Sequence, residues 1–150
     1  MDEEERTRRI AALVHAGLLA SVGIYAVVLF LFRSELTGAP PEPRAGGPAA
    51  LLFAAIGIAQ FGAASWIGRR LLQSSRSGAG DRVRLYFLLR AAAAEAIGIY
   101  ALILGLTGAS AGSTAGLLVE SVAALLVCAP TRPAWNRAGR LTQGHTPPAV

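Results

Sequence analysis

Residues 91–106 form an apolar stretch that carries one carboxylate, Glu95, close to its middle. With the preceding residues from about Val83, the stretch is long enough to cross a bilayer as one helix, which takes about 20 residues. A carboxylate at that depth is costly and is usually kept for a function. Glu95 is therefore the first candidate functional residue of this chain.

The composition also indicates a membrane protein. Of the 150 residues, 53% are hydrophobic, and the mean hydropathy is +0.49. The net charge of +5 would fit a nucleic-acid-binding protein, but the 14 basic residues, all arginine, lie mostly just outside the apolar blocks. That distribution is typical of cytoplasmic loops and of attraction to anionic lipid. We therefore expect the lipid bilayer as a partner and no nucleic acid.

The apolar blocks predict an all-α fold, an integral membrane four-helix bundle. The predicted spans are residues 10–32, 48–68, 83–106 and 113–129. Residues 1–9 are a charged cytoplasmic cap, and residues 131–150 are a tail that we expect to be disordered beyond a membrane-surface segment near Trp135. The first block is too long for the apolar region of a secretory signal, so it is expected to be retained as a span.

Arginine placement predicts the orientation of these spans. Three arginines lie in the cap, four in loop 69–82 and three in the tail, whereas loop 33–47 has two and loop 107–112 has none. By the positive-inside rule, both termini and the middle loop are cytoplasmic. We expect the chain in the inner (plasma) membrane of a bacterium.

Spans one and three share the sequence Gly-Ile-Tyr-Ala, at residues 23–26 and 98–101. Both spans run outward from the cytoplasm, so a duplicated helical hairpin is one explanation. A chance alignment of two Ala- and Leu-rich helices is the other. In this alignment Ala20 occupies the position of Glu95, so only the second copy carries the charge.

The residues around Glu95 predict a helix–helix contact. On a 3.6-residue helix, Ala94, Gly98, Ala101 and Gly105 form one stripe of small residues, and Glu95 lies beside it. Glu95 would either take up and release a proton or cation, or donate a hydrogen bond to a neighbouring helix as a structural acid.

Glu120 is a second acid within a predicted span. Two acids at staggered depth could form a relay, but a hydrogen bond from Glu120 to Gln60 or Ser21 is the favoured interpretation.

Other polar residues give weaker indications. Arg90 is expected to extend toward the membrane surface, and His15 is expected to be a hydrogen-bonded packing residue more often than a relay. The chain has no nucleophile motif, metal-ligand cluster or phosphate-binding loop. We therefore expect no enzyme, no catalytic residue, no metal and no cofactor.

The stretch Ala92-Ala-Ala-Glu-Ala-Ile-Gly-Ile-Tyr-Ala101 resembles the carboxylate-bearing helix of the c subunit, or proteolipid, of rotary ATP synthases and ATPases. That family carries an acid-Ala-x-x-x-Tyr pattern, in which Glu95 matches the acid and Tyr100 the tyrosine. The resemblance covers about residues 51–107, with loop 69–82 as the polar cytoplasmic loop of the family's hairpin.

This resemblance implies that Glu95 binds a translocated proton or cation. The candidate proton- or cation-binding residues are Glu95, Glu120, Tyr100 and Gln60. The alternative is a non-transporting membrane scaffold or assembly subunit whose buried acids stabilise helix packing. A homo-oligomer or other membrane subunits are the protein partners that these hypotheses imply.

Overall fold

The computed structural model describes residues 3–36, 46–74 and 78–143. This part of the chain is all-helical, as predicted, with five helices and no strand. The helices are α1 (Glu3–Leu36), α2 (Gly46–Leu72), α3 (Ala79–Leu106), α4 (Ala111–Val127) and α5 (Arg132–Gln143). By length and composition α1, α2 and α3 can each cross a membrane, and α4 with α5, bent by 64°, would count as a fourth span.

The first three helices extend beyond the predicted spans at their charged ends. Helix α1 begins at Glu3, α2 continues to Leu72 and α3 begins at Ala79. Arg, Glu and Leu favour helix about equally, so an apolar block marks the lipid-facing part of a helix and not its ends. Residues 37–45 and 75–77, within two of the predicted loops, lie outside the described residues.

Helix α3 lies at the centre and packs against α1, α2 and α4, whereas α1 and α2 hardly contact each other. Its buried residues recur every three or four positions and cover roughly half of the helix circumference. The uncovered side lies between α1 and α2. We call it the open face of α3; its exposed residues are Leu85, Ala92, Ile99, Ile103 and Leu106.

A hydrophobic cluster joins four helices at one end of the molecule. It includes Ala11 of α1, Leu72 of α2, Val83 of α3 and Trp135 of α5. The arginines near the beginning of α1 and α3, the end of α2 and along α5 lie at this end, which we call the arginine-rich end. Helices α1 and α3 therefore run in the same direction, and α2 runs opposite to them.

The connection between α3 and α4 is short, and the two helices are antiparallel neighbours. Gly108 turns the chain in the left-handed region, with φ of 87°, where a side chain would be strained. Ser110 caps α4 by accepting a 3.2 Å hydrogen bond from the backbone N–H of Ser113.

The sequence predicted disorder beyond a membrane-surface segment near Trp135, whereas the described part of the tail forms a helix that covers Arg132–Gln143, α5. Trp135 is only 2% exposed, and its indole stacks on the ring of Phe87, with centroids 5.5 Å apart. Arg132 also lies 3.8 Å from the Glu5 carboxylate of α1. Few residues of α5 are apolar, but they fall on one helical face, which mean hydropathy does not reveal. Residues 144–150 lie outside the described residues.

Candidate functional site

Glu95 is half-buried on α3 at the edge of the open face, where it meets α1. Its Oε1 accepts hydrogen bonds from two hydroxyl groups of α1. Ser21 Oγ lies 2.6 Å away, and Tyr25 Oη lies 3.0 Å away. Ser21 and Tyr25 are four residues apart on one helical face, so a single face of α1 supplies both hydroxyls.

The predicted small-residue stripe brings the neighbouring helices close enough for this contact. Ala94 and Ala101 are fully buried. A β-carbon on Gly98 would lie 3.2 Å from Val22 Cγ2 of α1 and 3.1 Å from Ser121 Oγ of α4. The expectation that the stripe contacts other helices closely is confirmed, and it holds α3 against α1 and α4 together.

The Ser21 hydroxyl limits how the protons of this cluster can be arranged. Ser21 Oγ lies 2.7 Å from the backbone oxygen of Leu18 as well as 2.6 Å from Glu95 Oε1. One hydroxyl has one hydrogen to donate. If Ser21 donates it to Leu18, the short contact with Glu95 is satisfied only when the carboxyl is protonated and donates to Ser21. The cluster can therefore hold one additional proton without movement of heavy atoms.

Glu120 of α4 is not joined to Glu95 by any hydrogen bond in the described part of the chain. Its Oε1 is buried and has no hydrogen-bond partner there, and a β-carbon on Gly57 of α2 would lie 3.6 Å from it. The expected bond from Glu120 to Gln60 or Ser21 is therefore wrong. Those two side chains make other contacts: Ser21 of α1 binds the Leu18 backbone and Glu95, and Gln60 accepts a hydrogen bond from Tyr100.

Tyr100 and Gln60 form a separate pair across α2 and α3. Tyr100 Oη donates a 2.7 Å hydrogen bond to Gln60 Oε1, and the ring of Tyr100 stacks on Phe53 at 5.3 Å. The tyrosine that contacts Glu95 is instead Tyr25. Sequence reasoning missed Tyr25 in that role, although the Gly-Ile-Tyr-Ala alignment pairs it with Tyr100 and so gave the signal.

Arg90 is held between α2 and α3 at the arginine-rich end. Its Nε donates to Ser65 Oγ at 3.2 Å, and Nη1 donates to Tyr86 Oη at 3.0 Å. The guanidinium also lies 5.2 Å from the ring centroid of Phe61. Ser65 and Tyr86 both lie toward the arginine-rich end, the direction in which the side chain was expected to extend, and the aromatic ring also stabilises the charge.

His15 lies on the buried face of α1, and its exposed fraction is 9%. Its Nδ1 makes no hydrogen bond within the described residues. The side chain therefore packs against its neighbours, but without the polar partner that a buried imidazole usually has.

A cavity of about 350 Å³ opens at the arginine-rich end, where Glu3, Glu4 and Asp81 line it together with Trp135. In residues 3–36, 46–74 and 78–143, no group of three His, Cys, Asp or Glu side chains is arranged to hold a metal ion. Comparison with protein-family models, with curated proteins and with solved structures finds no match to this chain.

Proposed function

We propose that this chain is an integral membrane protein with four spans, both termini cytoplasmic, whose Glu95 binds a proton or a cation inside the helix bundle. The observation that carries the proposal is the pair of α1 hydroxyls on Glu95 Oε1, at 2.6 and 3.0 Å. An acid in the middle of an apolar helix is costly, and this one has a built set of oxygen neighbours.

The topology rests on where the arginines lie. The beginning of α1, the end of α2, the beginning of α3 and α5 meet at the arginine-rich end. Clusters of arginine next to spans are typical of the cytoplasmic side. With α4 as the fourth span, α5 would then lie along the cytoplasmic surface, with Arg137 and Arg140 exposed to anionic lipid.

The proton hypothesis follows from the hydrogen bonds of Ser21. A chain from Glu95 through Ser21 to the backbone oxygen of Leu18 is complete when the carboxyl is protonated. When the proton leaves, Ser21 can turn its hydrogen to the carboxylate, and Tyr25 continues to donate to it. Both forms have donors and acceptors matched, which suits reversible proton binding.

The cation hypothesis uses the same oxygens. One carboxylate and two hydroxyls are hard oxygen ligands of the kind that sodium and other hard cations prefer. The resemblance of residues 51–107 to proteolipid c subunits supports either ligand, because the acid of that family binds a translocated proton or sodium ion. Here the tyrosine hydroxyl that donates to the acid comes from Tyr25 of α1, a helix outside the segment that resembles the family.

A second candidate function is a membrane scaffold or assembly subunit. The observation that favours it is that the bonds to Glu95 join α1 to α3, and Ser121 Oγ of α4 donates to Ala94 O at 2.8 Å. Polar contacts between helices stabilise bundles in lipid, by roughly 0.6 kcal/mol each on average. A purely structural acid would have the same geometry, so the two functions must be separated by chemistry.

Labelling by a hydrophobic carbodiimide separates them, because this reagent attacks protonated carboxyl groups. In native membranes we expect modification of Glu95, located by mass spectrometry, to increase as the pH falls. Sodium should protect Glu95 if a cation is the ligand. Glu120 is an internal control in the same bundle, and its labelling should be insensitive to sodium.

The variant Glu95→Gln gives the second arm. It keeps the size and hydrogen bonding of the side chain but cannot release a proton. In proteoliposomes loaded with a pH-sensitive dye, we expect a membrane potential to drive proton uptake with the wild type and not with Glu95→Gln. The two proteins should show the same helicity by circular dichroism. Absence of pH-dependent labelling at Glu95, with equal uptake by the two proteins, would overturn ion binding and favour the scaffold.

A further inference from the structure

The open face of α3 is bordered by polar side chains on both sides. Counted from Ile99 at about 100° per residue, Glu95 lies about 40° away toward α1, and Tyr100 lies about 100° away toward α2. Glu95 accepts hydrogen bonds from the Ser21 and Tyr25 hydroxyls of α1, and Tyr100 donates one to Gln60 of α2. Glu95 and Gln60 therefore flank the open face from opposite sides.

These two side chains lie at the same depth. A β-carbon on Gly57 would lie 2.8 Å from Ile97 Cγ1, so these residues oppose each other in the antiparallel pair α2 and α3. Gln60 is three residues beyond Gly57, and Glu95 is two residues before Ile97. Both steps lead toward the arginine-rich end, by about 4.5 Å for Gln60 and about 3 Å for Glu95 at 1.5 Å per residue. The two residues therefore differ in depth by only about 1.5 Å.

Each side chain has a polar atom without a partner. Within the described part of the chain, Gln60 Nε2 donates no hydrogen bond, since its contact with Tyr100 is made through Oε1. Glu95 Oε2 likewise accepts none there, since both α1 hydroxyls bind Oε1. In hydrocarbon no water supplies the missing bonds, and an unpaired polar group is costly. One border of the open face offers N–H donors, and the other offers an acceptor.

We propose that the open face of α3 binds a second copy of this chain in the membrane. A twofold axis along the membrane normal, passing near Ile99, sets the α2 border of each protomer against the α1 border of its partner. Gln60 Nε2 of one protomer then donates to Glu95 Oε2 of the other, twice and at equal depth. This inference concerns assembly and goes beyond ion binding. Oε2 of Glu95 can accept the hydrogen bond whether the carboxyl group is ionised or carries its proton on Oε1.

Small residues on both borders permit the approach. Gly17 is four residues before Ser21 on α1, and Ala63 is three residues after Gln60 on α2, so each lies on the border that its neighbour defines. Both are exposed, and a β-carbon on Gly17 would meet no atom within 4 Å. Small residues let helix backbones approach closely in lipid.

Cysteine cross-linking tests which face meets which. In a Cys128→Ala background, which removes the native cysteine, we expect Ile99→Cys and Ala92→Cys to give disulfide-linked dimers when native membranes are oxidised. The matched controls Val27→Cys on α1 and Val119→Cys on α4 are also exposed but lie on other faces, and should remain monomeric.

Every other pattern overturns the proposal. Cross-links at Val119 or Val27 alone would assign the interface to another face. Equal cross-linking at all four positions would indicate random collision, a heavier adduct would indicate a different protein, and monomers throughout would indicate that lipid covers the open face.

A substitution at Gln60 tests the polar pairing itself. Gln60→Leu removes the donor twice per dimer, so we expect dimerisation about five- to tenfold weaker, measured by energy transfer between labelled copies as vesicles are diluted with lipid. Ala59→Leu places the same side chain about 100° around α2 from Gln60 and removes no hydrogen-bond donor, so it should leave dimerisation unchanged. Equal affinities for Gln60→Leu and the wild type would overturn the pairing, with circular dichroism confirming that both are folded. Proton binding at Glu95 is measured separately, so failure of one proposal leaves the other testable.

Discussion

Ser121 Oγ of α4 donates a 2.8 Å hydrogen bond to the backbone oxygen of Ala94 on α3. The carbonyl group of Ala94 is also part of the helix ladder, so the serine adds an interhelical bond at an oxygen that can accept two. The contact is possible because α3 presents small residues there: Gly98 is one turn further along, and a β-carbon on it would lie only 3.1 Å from Ser121 Oγ. Close approach of the backbones and the polar contact therefore depend on the same stripe.

Gly98→Leu should destabilise the bundle. A β-carbon on Gly98 would already lie 3.1 Å from Ser121 Oγ and 3.4 Å from Tyr25 Cδ2, so a leucine must push α1 and α4 away. We expect the free energy of unfolding in detergent to fall by about 1–3 kcal/mol. Gly23→Leu is the matched control, because Gly23 occupies the same place in the other Gly-Ile-Tyr-Ala segment and a β-carbon there meets no atom within 4 Å. Its effect should stay within about 0.5 kcal/mol. Equal losses for the two variants would mean that α3 is packed differently.

The same pair of glycines illustrates how far the sequence could predict this fold. Apolar blocks and the spacing of Ala94, Gly98 and Ala101 were sufficient to predict the helices and the buried side of α3, because small residues at a helix–helix contact recur at the period of the helix. The pattern could not distinguish Gly98 from Gly23, because both are followed by Ile-Tyr-Ala. Their difference arises from the position of α3 at the centre, and that position depends on contacts with three other helices.

The candidate site was predictable in its acid and not in its partners. Glu95 is conspicuous because charge is rare in an apolar helix. Ser21 and Tyr25 are ordinary residues in a different span, about 70 positions earlier, and only the packing of α1 on α3 selects them. Pairing Glu95 with Tyr100 by analogy to a motif overlooked that residues five apart point in different directions on a helix, about 140° apart.

Trp135→Ala should release α5 from the bundle. Trp135 is buried against Phe87 and the beginning of α3, and truncating a buried tryptophan typically costs about 3–5 kcal/mol. The expected result is faster tryptic cleavage at Arg137 and Arg140 in membranes, with the α1–α4 region still protected. Leu141→Ala is the control, since Leu141 is 52% exposed, and its cleavage rate should match the wild type. If both variants are cleaved at the wild-type rate, Trp135 does not hold α5.

Reporter fusions test the proposed topology. A reporter after Arg76 or after Val150 should show cytoplasmic activity, and one inserted within residues 37–47 should show external activity, because arginine clusters remain on the cytoplasmic side. An external C-terminus would leave three spans, with α4 and α5 returning to the outer surface. Replacing Arg69 and Arg70 by Gln tests the cause of the orientation. It should reduce the excess of arginine on the cytoplasmic side without changing the apolar spans.

The last prediction separates the contact in the structure from the motif in the sequence. Tyr25→Phe removes the 3.0 Å hydrogen bond to Glu95 Oε1 and leaves the ring in place. The carboxyl group then loses one of its two hydrogen-bond donors, so the carbodiimide labelling profile of Glu95 should differ from that of the wild type. Tyr100→Phe is the matched control: its hydroxyl binds Gln60, so the labelling profile should not move. The opposite result, with a shift for Tyr100→Phe alone, would show that Glu95 is paired as the acid-Ala-x-x-x-Tyr pattern suggests and that α1 does not contribute to the site.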